Sequence, residues 1–187
     1  MLRILTVIIL AAPPSLRGQD RGCARIPDTT PIQAVGSYSD MRFTEEHTYG
    51  NIVQLWQAGD CLFGLFQASS GLAGDTPTGR LTAVTYRPKS GQLEFTAKLT
   101  VGMSSAAGST ALVPSRDLFA FTGHLGSKVL RGRLKQSNGL RPELPPVEQP
   151  VTLTRSKQND DGMIEAKTYG EWRAEIEPIL QFRGPKW

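Results

Sequence analysis

The stretch QLEFTAKLT, residues 92–100, decides the fold class of this chain. Its apolar residues alternate with polar ones, and we expect the apolar set to face a core: Leu93, Phe95, Ala97 and Leu99. Side chains of a strand point alternately to the two faces of a sheet, so this period of two indicates a half-buried antiparallel strand. Residues 87–91, RPKSG, have turn composition, and residues 80–86 supply a preceding strand. We therefore predict a β-hairpin over residues 80–100.

Further short β-favouring runs lie on both sides of this hairpin, with turn signals about every ten residues. They cover residues 41–49, 52–57, 61–68, 117–122, 128–136 and 151–154. Together with the hairpin they give about eight strands, and strands of this number and length close into a small barrel without edge strands. The sequence predicts a mainly β chain that forms a single antiparallel up-and-down β-barrel.

The end of the chain has helical spacing instead. Thr168 and Glu171 are spaced as in an N-terminal capping box. The apolar residues after them share one helical face: Trp172, Ile176, Ile179 and Leu180. Pro178 is expected to kink or end the helix. The run 61–68 is apolar on both faces, so its outer face needs a cover, and we expect this helix or a partner to supply it.

The order of these elements, a leader, a meander of strands and a C-terminal helix, is similar to the calycin architecture of lipocalins. The resemblance implies a barrel with either a packed interior or a single ligand cavity. The lipocalin Gly-x-Trp signature is absent, because Gln54 and Leu55 precede Trp56. No lipocalin binding residue is therefore carried over to this chain.

The first residues have the composition of an export signal. Arg3 gives a basic start, and residues 4–12 are apolar apart from Thr6, too short a run to span a bilayer as a helix. Cleavage could follow Ala12 or Gly18, and the alternatives are an uncleaved anchor or a misassigned start. We expect an exported protein that is periplasmic or secreted.

These features divide the chain into four parts. We predict a signal peptide at 1–18, an extended arm at 19–37, the barrel domain at 38–156 and a helical tail packed on the barrel at 157–187. Loss of residues 1–18 would lower the formal net charge from +4 to +2. With so small a charge and no nucleic-acid-binding signature, nucleic acid is not an expected partner.

The two cysteines, Cys23 and Cys61, predict a disulfide, as an even pair in an exported chain usually does. Closing a loop of about 40 residues would stabilise the fold by roughly 4 kcal/mol in the chain-entropy description. The alternative is lipidation of Cys23, which follows Gly22. Asp20 and Arg21 are charged where a lipidation motif requires small apolar residues.

Catalytic motifs are absent from the sequence, including the nucleophile elbow, the phosphate-binding loop and the metalloprotease helix. The one cluster of residue types that could carry out chemistry is Glu45, Glu46 and His47, where a carboxylate beside an imidazole could bind a metal or transfer a proton. A third ligand would have to come from Asp60 or His124. The alternative is a solvent-facing strand end, and we assign no catalytic residue, metal or cofactor.

Two further sets of side chains could contact a ligand. Aromatic residues could line an apolar pocket or fill the core, with Trp56, Phe63, Phe66, Phe95 and Phe119 as the candidate binding residues. Arg131, Arg133 and Lys135 alternate along one predicted strand and could meet an anionic partner, or could form a solvated stripe.

The sequence favours a non-catalytic exported binding module that holds a small apolar ligand in or at the mouth of the barrel. The alternative is a protein-interaction or inhibitor protein that uses loops 69–78 and 101–116. A third hypothesis is a hydrolase or lyase built on Glu45, His47 and Asp60. No membrane-spanning segment is expected in the mature chain, and the oligomeric state is not predicted.

Overall fold

The structure is a computed structural model that describes residues 25–72, 77–99, 103–105, 111–114, 116–139, 142–156 and 162–181. Its elements in chain order are β1 (Gln33–Ser39), β2 (Arg42–Phe43), β3 (His47–Ala58), β4 (Cys61–Leu72), β5 (Thr78–Arg87), β6 (Gln92–Lys98), β7 (Met103–Ser105), β8 (Leu112–Pro114), β9 (Asp117–Leu125), β10 (Val129–Asn138), β11 (Val147–Arg155) and α1 (Tyr169–Gln181).

Eight of the strands form a closed antiparallel barrel. Their order in the sheet is β1-β11-β10-β9-β6-β5-β4-β3, and β1 also pairs with β3, which closes the ring. Strands adjacent in the ring follow one another along the chain, except that β2 is inserted between β1 and β3, the small β7–β8 pair is inserted between β6 and β9, and the last strand, β11, returns to pair with β1. The predicted fold class, an up-and-down barrel of eight strands with a C-terminal helix, is confirmed.

The interior of the barrel is filled by one apolar cluster. The predicted inward set of β6, Leu93, Phe95 and Ala97, is buried in it. Phe66 lies 4.8 Å from Phe119 and 6.2 Å from Phe95, and Phe95 stacks on Phe121 at 5.0 Å, between ring centroids. Aromatic rings at these separations gain contact energy beyond their burial.

Phe121 is accommodated by two glycines on neighbouring strands. Gly123 of β9 is paired with Gly132 of β10, and a Cβ on either would come within 2.8 Å of the Phe121 ring tip. A larger residue at either position would collide with that ring or with the backbone of the opposite strand. The Phe121 side chain therefore occupies the space that side chains at positions 123 and 132 would fill.

The junction between the last and the first strand is short. Only Tyr38 and Ser39 of β1 are in register with β11. Arg155 reinforces the junction, because its Nη2 donates a hydrogen bond to the Val35 carbonyl at 2.7 Å. Tyr38 donates its hydroxyl to the Gly126 carbonyl at 3.2 Å, and burial raises the pKa of Tyr38.

Helix α1 covers the outer wall of β3 and β4. Trp172 is fully buried there, 5.5 Å from Trp56 and 4.7 Å from Phe63 between ring centroids. Ile176 and Leu65 belong to the same outer cluster. Of the two expected covers, the helix or a partner, the helix covers this wall.

The start of α1 has the predicted capping box. The Glu171 amide donates to Thr168 Oγ1 at 3.3 Å, and Glu171 Oε2 accepts the amides of Lys167 and Thr168. The arm before the barrel contacts the same end, where Arg173 pairs with Asp28 at 2.7 Å. Helix start and arm therefore hold each other on the barrel.

Three local features differ from the sequence predictions. The first strand begins at Gln33, inside the segment 19–37 expected to be an extended arm. Separate strands were expected at 41–49 and 52–57, but β3 runs without interruption through Gly50 and Asn51, because Asp40 Oδ1 accepts the Asn51 amide at 2.7 Å and holds the preceding chain against the strand. Pro178, expected to kink or end the helix, does not end α1, which continues to Gln181.

We expect Trp172→Ala to lower the free energy of unfolding by about 3–5 kcal/mol, because the substitution leaves a cavity between helix and barrel. Ile179→Ala is the matched control on the same helix. Ile179 is 45% exposed, so its truncation should change stability by no more than about 0.5 kcal/mol. Urea unfolding of both variants measures the difference, and equal losses would contradict the packing described here.

Candidate functional site

The five aromatic residues that were expected either to line an apolar pocket or to fill the core lie in two separate places. Phe66, Phe95 and Phe119 are inside the barrel. Trp56 and Phe63 are on the outer wall beneath α1. The structure therefore does not bring these five side chains into one site.

The described side chains inside the barrel leave little accessible surface. Phe66 is fully buried, and Phe95 and Phe119 are nearly so. A ligand cavity beside these rings would expose part of each ring to that cavity. The three rings instead contact one another, so they act as core residues, and any contact surface has to be sought elsewhere on the molecule.

The residues considered for chemistry do not converge either. His47 begins β3 and Asp60 follows its end, so they are separated by the length of a twelve-residue strand, roughly 35–40 Å. His124 lies near the end of β9, next to the turn that leads into β10. His47 stacks on Tyr49 at 5.8 Å, and Glu45 is exposed in the hairpin before it. Within the described ranges, no group of three His, Cys, Asp or Glu side chains could hold a metal ion.

The basic stripe Arg131, Arg133 and Lys135 lies on the outer face of β10, where all three side chains are exposed. Arg133 is ion-paired with Glu148 of β11, and Lys135 stands opposite Glu148 in the register. The hydrogen bond from Arg133 lowers the pKa of Glu148, and the charge of Lys135 adds to this effect. Glu148 therefore partly neutralises the positive charge of this stripe, at Arg133.

Cys61 is buried at the start of β4 and is not a free thiol. Cys23, the expected partner, lies outside the described residues, as does the leader 1–18. The pairing of the two cysteines stays a prediction.

The two ends of the barrel differ in their connections. At one end, the turn end, strands are joined by short turns at 59–60, 88–91 and 126–128. At the other, the loop end, the connections span 40–46, 73–77, 99–116 and 139–146. The β7–β8 pair belongs to the longest of these. Both predicted contact loops, 69–78 and 101–116, also belong to the loop end, although 73–76, 100–102, 106–110 and 115 are outside the described residues.

Exposed apolar side chains concentrate at the loop end. Among the described residues, six large apolar side chains are exposed, and five of them lie in or beside loop-end connections: Phe43, Tyr49, Leu118, Leu144 and Val147. We call these five the apolar rim. Phe43 is 75% exposed and Val147 is 63% exposed. These five residues were not predicted from the sequence, because their exposure depends on what the barrel leaves uncovered.

The part of the rim on β2 and β3 is held in a fixed shape. Asp40 Oδ1 accepts the Asn51 amide at 2.7 Å, and the His47 amide donates to Thr44 Oγ1 at 2.9 Å. Phe43 is in register with Thr48 between these two bonds. Two hydrogen bonds therefore flank Phe43 and tie its hairpin to the neighbouring chain.

No protein-family model, curated protein or solved structure matches this chain. In the portion that the structure describes, no helix has the length and apolarity needed to cross a membrane.

We expect Arg133→Gln to raise the pKa of Glu148 towards its ordinary value, because the hydrogen bond that favours the carboxylate is lost. Lys135 remains, so the return should be partial. In the parent protein the lowered pKa favours the folded state at neutral pH, and this contribution is lost as the pH falls through the folded-state pKa.

A pH titration of the Glu148 carboxyl carbon by NMR measures this change, with Arg131→Gln as the control that removes a neighbouring cation without the ion pair. An unchanged Glu148 titration in Arg133→Gln would show that the pair does not form in solution.

Proposed function

We propose that this chain is a non-catalytic binding protein that contacts a protein partner through the loop end of its barrel. The observation that carries this proposal is that five of the six exposed large apolar side chains among the described residues, the apolar rim, lie at the loop end, while Ile179 lies on α1. Exposed apolar surface that is concentrated in one region of a protein marks candidate interaction sites.

The distribution of packing supports the same surface. The described interior residues contact one another, and α1 covers the wall of β3 and β4. The turn end offers only short polar turns. Among the surfaces described, the loop end combines long connections with exposed aromatic and aliphatic side chains, the composition that dominates binding energy at protein interfaces.

A second candidate is a small apolar ligand bound at the mouth of the barrel. It is favoured by the stacked pair of His47 and Tyr49, which lies beyond the filled core at the loop end. Both residues have the same parity in β3 as the inward-facing Val53 and Leu55. A ligand held by this pair would stay at the entrance and would not reach Phe95.

The proposal includes export of the chain and a disulfide between Cys23 and Cys61, so that the partner is met outside the cytoplasm. Purification from an exporting host and intact mass spectrometry should give a mass that lacks the leader and gains two hydrogens on reduction. Cys61→Ser should abolish that gain. A mass that retains the leader would contradict export, and a lipid-sized increase at Cys23 would contradict the disulfide.

The loop end is tested with the double variant Phe43→Ser/Val147→Ser, immobilised beside the parent protein and the control Ile179→Ser. Both changes remove exposed apolar surface, so each variant should fold. We expect the parent and the control to retain the same protein from the exporting host, and the rim variant to bind it at least about ten-fold more weakly, as for the loss of interface anchors.

Equal binding of that protein by the rim variant would contradict the proposed surface. If the parent and control instead carry a small molecule that the rim variant lacks, the second candidate replaces the first.

A further inference from the structure

Charge is strongly segregated along this chain. Between residues 80 and 135 there are nine Lys or Arg and only two acidic residues, Glu94 and Asp117. The other described residues carry five Lys or Arg and eleven Asp or Glu. The net charge of the whole chain, +4, conceals this division.

The fold turns this division into two walls. Strands β5, β6, β9 and β10 are neighbours in the ring, so the cations of 80–135 share one side of the barrel. The opposite side consists of β11, β1, β3 and β4 with α1, whose exposed face bears Glu171, Glu175 and Glu177. We define the cationic wall by its exposed members: Arg87, Lys89, Lys98, Arg116, Lys128, Arg131, Arg133 and Lys135.

Arg80 does not belong to the cationic wall. It pairs with Glu177 at 3.2 Å, and its guanidinium lies 5.7 Å from the Trp172 ring centroid. Arg80 therefore contributes to the contact between α1 and the barrel. Within the wall, Arg133 has the carboxylate partner Glu148, while Glu94 accepts a hydrogen bond from Gln92.

The spacing of the cations follows from the strand. Arg131, Arg133 and Lys135 project from the same face of β10, so successive charges are about 6.5–7 Å apart. Lys128 extends this line into the turn end. Lys98 of β6 and Lys135 of β10 lie on the two strands that flank β9, so the positive charge also extends across the wall.

We propose that the cationic wall binds an anionic polysaccharide. Uncharged side chains that can form hydrogen bonds lie between the cations on this wall: Thr82, Thr96 and Thr122. Their hydroxyl groups can form hydrogen bonds with sugar hydroxyls. The Thr82 and Thr96 hydroxyls lie 2.8 Å apart, so this part of the surface is already ordered. This surface adjoins the apolar rim at Leu118, which is in register with Lys98, but the proposal does not depend on the loop-end partner.

The shape and composition of the wall favour a flexible chain over other anionic partners. The outside of a barrel is convex, so a planar membrane would meet only a narrow strip of it. Leu118 is the one exposed large apolar side chain among the described residues of β5, β6, β9 and β10, which leaves little to insert into a bilayer. Among the described residues, the exposed Phe and Tyr side chains are Phe43 and Tyr49 of β2 and β3, so no exposed Phe or Tyr stands on the wall to stack on nucleic-acid bases.

The test measures binding of a heparin oligosaccharide by the full chain at roughly 0.1 M salt, where nearby charges still interact. Arg131→Gln/Lys135→Gln removes two exposed cations of the wall and leaves the Arg133 pair with Glu148. Arg42→Gln/Lys167→Gln is the matched control, with the same change in net charge on the opposite side of the barrel. Thermal melting verifies that both variants are folded.

We expect the wall variant to bind heparin about ten-fold more weakly than the parent, with a shallower dependence on salt because fewer counterions are released. The control should stay within about two-fold of the parent, since its lost charges lie outside the wall. Equal weakening in both variants would overturn the proposal, because net charge alone would then explain binding.

Two further arms distinguish other partners. Phosphatidylserine vesicles and polyglutamate are titrated at the same charge concentration as heparin. Tighter binding to the vesicles would make the wall a membrane surface, and tighter binding to polyglutamate would make it a contact for an acidic protein; either result overturns the polysaccharide assignment.

Discussion

The packing of Phe66, Phe95, Phe119 and Phe121 inside the ring is the constraint on which the rest of this structure depends. An eight-stranded barrel is just wide enough to be filled by its own side chains or to hold one small ligand. Here the rings contact one another at 4.8–6.2 Å, and Gly123 and Gly132 leave room for Phe121. A barrel filled in this way has to meet other molecules with its outer surfaces.

The outer surfaces are then divided by the helix. Trp172 covers the wall of β3 and β4, which would otherwise expose Trp56 and Phe63. The contact between this wall and α1 therefore stabilises the fold. Two surfaces of different chemistry remain, the apolar rim at the loop end and the cationic wall of β5, β6, β9 and β10. The two surfaces adjoin where Leu118 of the rim is in register with Lys98 of the wall.

The sequence predicted the parts of this account that depend on local periodicity. The alternation at 92–98 and the box at Thr168 and Glu171 are local signals, and both were correct. Strand β1 was missed because Gly36 and the serines beside it weaken its alternation, while pairing on both sides with β3 and β11 supplies its order. Parity already assigned Phe63 and Phe66 to opposite faces, so their separation could have been predicted. The exposure of Phe43 could not, because it depends on what the barrel leaves uncovered.

The most direct test of the filled barrel is a native mass spectrum of the mature chain purified from an exporting host without any extraction step. If the aromatic rings occupy the interior, the folded chain should have the mass of the polypeptide alone, before and after denaturation. An apolar molecule that stays bound in the native spectrum of both the parent and Tyr49→Ser, which removes the stacked pair at the mouth, would contradict this account, because such a ligand would require space that Phe66, Phe95 and Phe119 fill.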